Sequence, residues 1–181
     1  MKNISLNKNI YKIVLSAMFL ALALVLPFLT GQFQTLGNAI CPMHLPVLLC
    51  GFFCGPWYAL IVGFIAPVLR FVLFGMPPVM PIGIAMCFEL ATYGLVSGLL
   101  YQCLPKKKIY IYVSLIVAML AGRIVWGAVR VLVYGIGQYE FGWKMFMAGA
   151  FLNAIPGILI QIVLIPILVM TLKRYTAMQN I

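Results

Sequence analysis

The chain has 181 residues, 65% of them hydrophobic and 8% charged, whereas a soluble domain carries roughly a quarter charged residues. Water could not solvate such a surface, so a soluble globular fold is excluded. Lys and Arg outnumber Asp and Glu by 12 to 2, for a formal charge of +10. The basic residues lie mainly at the edges of apolar runs, where they orient helices, and nucleic acid is not a partner.

Apolar runs separated by Gly, Pro or charge fall near residues 11–29, 43–54, 57–75, 81–101, 109–135 and 146–172. They predict an all-α membrane protein, a six-transmembrane-helix bundle forming one transmembrane domain over residues 1–181. The first run follows Lys2, Lys8 and Lys12 and ends at Pro27 without a small-x-small cleavage site, so it reads as a retained helix. Ala17 and Ala21 within it have the spacing that lets another helix approach closely, and internal packing accounts for them. The connection that follows offers Gln32, Gln34 and Asn38 as neutral hydrogen-bonding groups beside glycine.

The second run is short for a crossing, which takes about 20 residues. His44, the only imidazole in the chain, stands at its start after Pro42 and is either a ligand contact or a histidine satisfied by backbone. Cys50 and Cys54 share a helix face but have no carboxylate nearby, and read as packing residues; no metal or cofactor is expected. Gly55-Pro56 is a tight turn with Pro suited to the first turn of the next helix, so the second and third runs form a hairpin.

Ionisable groups inside apolar spans need a partner or a wet cavity, because each costs about 2.5–3.5 kcal/mol to insert. Arg70 falls near the outer end of the third run, Glu89 near the middle of the fourth, and Arg123 and Arg130 in the fifth. Gly75-Met76-Pro77-Pro78 between the third and fourth runs is a stiff connector or a lid. Glu89 and Tyr93 share one face of the fourth helix. Arg123, Gly127, Arg130 and Tyr134 form a stripe on the fifth, with Trp126 beside it as a wall for a flat ring or a packing residue. Asn153 and Gly157 do the same on the sixth, Asn153 as a substrate contact or a helix cap. A polar interior between the last three helices follows. Glu89 can neutralise Arg123 while Arg70 and Arg130 reach outward, yet arginine remains in surplus, and a carboxylate-bearing solute suits that surplus.

Lys106, Lys107 and Lys108 lie between the fourth and fifth runs, and Lys173 and Arg174 follow the sixth. With the N-terminal lysines, these clusters fall on one side of the membrane if there are six crossings, which makes both termini cytoplasmic. The outward connections are then residues 30–42, about 76–80 and about 136–145.

The chain resembles the substrate-binding S component of an energy-coupling factor (ECF) transporter, the vitamin uptake systems of bacteria and archaea. The resemblance rests on the basic N-terminus leading into Ala17 and Ala21, on Met43-His44-Leu45-Pro46-Val47-Leu48-Leu49-Cys50-Gly51 running to Gly55-Pro56, and on Gly63 and Pro67. Gly75-Met76-Pro77-Pro78, Glu89-Leu90-Ala91-Thr92-Tyr93-Gly94, Ala121-Gly122-Arg123 and Ala154-Ile155-Pro156-Gly157 complete it. One departure is Ala59, where many members have Gly. The resemblance implies a six-helix fold that binds a vitamin near the outer face with help from the first and third outer loops. It also implies docking on a transmembrane coupling protein driven by two cytoplasmic ATPases, with Ala17 and Ala21 in the docking surface. The sequence has no GxxxxGK-type phosphate loop, so ATP dependence belongs to partners.

The expected solute-binding residues are Gln34, Asn38, His44, Arg70, Glu89, Tyr93, Arg123, Trp126, Arg130 and Asn153. Pantothenate and nicotinate exemplify the carboxylate-bearing class; riboflavin, pyridoxine, folate and pyrimidine precursors remain open. Two other functions compete. A small membrane enzyme lacks clustered acids, a metal site or a nucleophile paired with a base. A self-sufficient carrier often shows internal repeats, and the two halves show no clear self-similarity.

Overall fold

A computed structural model describes residues 2–30, 41–76, 78–105, 107–136 and 155–178. Among these, six α-helices follow in order: α1 (Lys2–Val25), α2 (His44–Phe53), α3 (Pro56–Phe74), α4 (Ile84–Cys103), α5 (Lys108–Ile136) and α6 (Ile155–Met178). A 3-10 turn, Leu26–Thr30, extends α1, and a wide turn, Val79–Gly83, leads into α4. All but α2 are long and apolar enough to cross a membrane.

The second helix is short. Its 10 residues cover about 15 Å, half the hydrocarbon thickness of roughly 30 Å. Every residue from Pro46 to Phe52 is buried, because α2 is apolar all round and lies inside the bundle. It starts after a turn in which the His44 N–H donates to the Cys41 carbonyl at 3.1 Å. It stops at Gly55, whose φ of 103° lies in a region that side chains disfavour. Pro56 then opens α3 at its first turn, as the Gly-Pro pair predicts.

The central helix is α4, packed against α2, α3 and α5. Its contact with α3 is antiparallel and close: a Cβ on Gly94 would lie 2.6 Å from the Ala59 carbonyl carbon, and one on Gly98 would lie 2.7 Å from Pro56 Cα. Gly63 faces Leu90 in the same seam. Ala59 therefore does not loosen the helix pair, because glycine on the opposite helix supplies the room. The core around this seam includes Val47, Leu48, Cys50, Leu90, Leu115, Ala118, Ile165 and Val169, all fully buried.

The first helix buries a stripe of Ser16, Phe19 and Ala23, at spacings of three and four, and exposes the opposite face. Ala17 and Ala21 are exposed, among Val14, Met18, Leu22 and Val25. The internal-packing reading of those alanines is thereby overturned: the small residues lie on the outside of the bundle.

Candidate functional site

Glu89 is the sixth residue of α4, about 8 Å from that helix's first residue and about 21 Å from its last. It is thus not mid-helix, as the run boundaries suggest, but toward the end of the bundle opposite Cys103, Lys107 and Lys108. The difference arises because α4 begins at Ile84 and extends to Cys103. The carboxylate is almost fully buried, with 1% exposure.

Three groups converge on one of its oxygens. Arg123 Nη1 lies 3.0 Å from Glu89 Oε1, and His44 Nε2 lies 3.5 Å from the same atom. The Tyr93 hydroxyl donates to it at 3.1 Å. Glu89 and Tyr93 meet because they stand four apart on α4, on one face. Tyr93 is steered there by Gly122 of α5, where a Cβ would collide with the edge of its ring. The His44 and Tyr93 rings pack at 5.2 Å between centroids. His44 enters from the first residue of α2, and α2 is held to α4 where Gly51 abuts Ser97 and Gly94.

Two further residues complete the cluster. Arg123 Nη2 donates to Cys41 Sγ at 3.7 Å, and Gln161 Nε2 of α6 donates to the Cys41 carbonyl at 3.4 Å. Cys41 holds a left-handed backbone, φ 50°, a strained conformation for a residue with a Cβ that costs on the order of 1–2 kcal/mol. Four parts of the chain thus meet at a buried hub: the Cys41 turn with α2, then α4, α5 and α6.

A buried ion pair stabilises little unless its remaining donors and acceptors are matched. Here they are not. Both ring nitrogens of His44, Arg123 Nε and Gln161 Oε1 are buried without a hydrogen-bond partner. Since most buried polar groups in folded proteins are satisfied, these atoms mark a cluster with unused capacity.

Arg130 extends the α5 stripe. Its guanidinium carbon lies 4.6 Å from the centroid of the Trp126 ring, a cation–π distance, so the wall expected for a flat ring already faces an arginine. Arg70 goes elsewhere. From the α3–α4 register at Gly63 and Leu90, Arg70 lies seven residues, about 10 Å, farther along the helix pair. Its Nη1 donates to the Leu24 carbonyl at 2.7 Å. The guanidinium is flanked by the Phe28 and Phe74 rings at 5.3 and 5.7 Å. A helix-end carbonyl and two rings draw Arg70 to α1.

Gln34, Asn38 and Asn153 lie outside the described residues, as does the side chain of Tyr134. Sequence reasoning missed Cys41 and Gln161. Gln161 had a signal, being the one polar residue between Ile158 and Met170, by the same rule that singled out Glu89. Cys41 had none, because it contributes chiefly a carbonyl presented by an unusual backbone. Among the described residues, no three His, Cys, Asp or Glu side chains gather as a metal site.

Fold and site together define a multi-pass helical membrane protein with a buried, incompletely satisfied polar hub toward one end of its bundle. A sequence model of the ECF transporter substrate-specific component family matches residues 11–169, and the chain belongs to that family. It is a substrate-binding transporter component rather than an enzyme. No curated protein and no solved structure gives a significant match.

Proposed function

We propose that this chain captures a water-soluble vitamin or vitamin precursor bearing a carboxylate from the outer side of the cell membrane. It hands that solute inward by docking on a transmembrane coupling protein powered by two cytoplasmic ATPases. In this reading residues 1–181 form one transmembrane domain with both termini cytoplasmic, as the lysine clusters favour.

The observation that carries the reading is the buried hub of His44, Glu89, Tyr93, Arg123 and Gln161, drawn from four parts of the chain and left with unmatched polar atoms. Glu89 compensates Arg123, and Arg130 lies two turns or about 10 Å farther along α5. A planar guanidinium held over Trp126 suits a carboxylate through paired hydrogen bonds. Gln34, Asn38 and Asn153 are further proposed solute contacts. Arg70 ties α3 to α1 and is not a solute contact.

The exposed Ala17 and Ala21 face of α1 supports the docking half of the proposal, since small residues outside the bundle let a partner helix approach closely. Purified protein screened by thermal shift against water-soluble vitamins tests capture, because a ligand at 100 times its Kd adds about 2.7 kcal/mol. Cells carrying the coupling module test delivery. Ala17→Leu or Ala21→Leu keeps binding and abolishes uptake; normal uptake with both alanines enlarged sinks docking there.

A further inference from the structure

We propose that Gln161 is a positioning residue for solute capture: by holding the Cys41 carbonyl from α6, it fixes the turn that sets Arg123 and the start of α2 in their receiving geometry. The inference rests on the capture reading above and concerns how the site is kept in shape.

Gln161 points inward because the buried positions Gly157, Gln161, Ile165 and Val169 of α6 recur every four residues, on one face. The helix packs against α2 and α5, so an amide on its buried face meets the turn from which α2 starts. Gln161 Nε2 donates to the Cys41 carbonyl at 3.4 Å, and a carbonyl only accepts, which orients the amide. Oε1 is buried without a partner. Among the described residues, the contact to Cys41 is therefore the one hydrogen bond that this buried side chain makes.

Cys41 needs to be held. Its φ of 50° is a left-handed backbone disfavoured for a residue with a Cβ, and such conformations persist where the surrounding contacts over-determine them. The His44 N–H donates to the Cys41 carbonyl at 3.1 Å from within the turn itself. Arg123 Nη2 donates to Sγ at 3.7 Å, a weak acceptor. Gln161 adds a hydrogen bond that ties the backbone of the turn to another helix. Because Arg123 Nη1 lies on Glu89, the series Gln161, Cys41, Arg123, Glu89 runs unbroken from α6 through the turn to α5 and α4. Releasing the Cys41 carbonyl lets the turn relax to an ordinary backbone. That withdraws Sγ from Arg123 and shifts His44, the first residue of α2, relative to Glu89.

The test uses full-length purified protein in detergent and, as probe, whichever of pantothenate, nicotinate, riboflavin, pyridoxine and folate gives the largest thermal shift. The dissociation constant of that compound is measured by titration calorimetry through a double-mutant cycle of Gln161→Met and Cys41→Gly. Glycine adopts a positive φ as readily as a negative one, so it needs no hold from α6. Gln161→Met is expected to weaken binding about 10-fold in the otherwise unaltered chain, the contribution of a typical hydrogen bond, and no more than about 2-fold beside Cys41→Gly. A merely structural glutamine moves the unfolding midpoint without producing this coupling. An equal loss in both backgrounds, or an unchanged constant for Gln161→Met alone, overturns the inference and leaves capture standing. Cys41→Gly alone is expected to keep binding within about 10-fold; abolished binding there shows that the side chain and not the held backbone matters, and also overturns it. Where Gln161→Met does not fold, Gln161→Asn, whose shorter side chain withdraws the amide from the carbonyl, takes its place in the cycle. If none of the five compounds binds the unaltered protein, the capture reading falls and this inference with it.

Discussion

Arg70 and Arg123 are nearly equally buried, at 5% and 6% exposure, yet the molecule treats them differently. Arg70 meets a backbone carbonyl and two aromatic faces contributed by the ends of α1 and α3. Arg123 meets a carboxylate and a cysteine, and its Nε is left unmatched. The carbonyl and rings around Arg70 form a joint between helices. The carboxylate around Arg123 neutralises charge without exhausting hydrogen-bonding capacity, which is what the proposed binding hub requires. Burial of an arginine alone does not identify a site; what its neighbours leave unsatisfied does.

The sharpest way to break this comparison is to remove the carboxylate. Glu89→Ala leaves Arg123 buried and uncompensated, a loss of about 3–5 kcal/mol, read as a fall in the unfolding midpoint in detergent. Replacing Glu89 and Arg123 together by Leu and Met recovers most of that stability while binding stays absent. Restored binding in the double variant would show that the pair only packs.

Gly94→Ala acts one step back, on the seam that fixes the height of Glu89. Its new Cβ meets the Ala59 backbone, which costs about 1–3 kcal/mol, and binding weakens because Glu89 and Tyr93 shift together. Arg70→Met is milder. It removes one charged hydrogen bond and the flanking ring contacts, about 1–2 kcal/mol, with solute affinity unchanged. A large affinity loss from Arg70→Met at preserved stability would erase the distinction drawn between the two arginines. The smallest effect on stability belongs to Ala17→Leu, which adds an apolar group on an exposed face and leaves the unfolding midpoint unmoved while uptake is lost.

Much of this was legible in the chain. Hydropathy located the helices, Gly55-Pro56 placed the α2–α3 turn, and the cost of polar groups in hydrocarbon picked out Glu89, Arg123 and Arg70. His44 and Tyr93 were chosen on residue type and spacing, and both reach Glu89. The same rule passed over Gln161, although an amide alone in an apolar run carries the signal that Glu89 does. Cys41 lay beyond any pattern rule, since a carbonyl has no residue-type signature.

The sequence by itself determined that the chain lives in a membrane, how many helices the described residues form and which side chains need polar company, because transfer cost is a property of each residue and its immediate run. Only the tertiary structure decided that Glu89 pairs with Arg123 and not with Arg70, that α2 lies within the bundle as a half-length helix, and that Ala17 and Ala21 face outward. Those outcomes depend on the register between helices, set where Gly94 lets α4 settle against Ala59 and where Gly122 admits the Tyr93 ring. A shift of about two turns along the α3–α4 seam would bring Arg70 level with Glu89 without altering any residue's hydropathy.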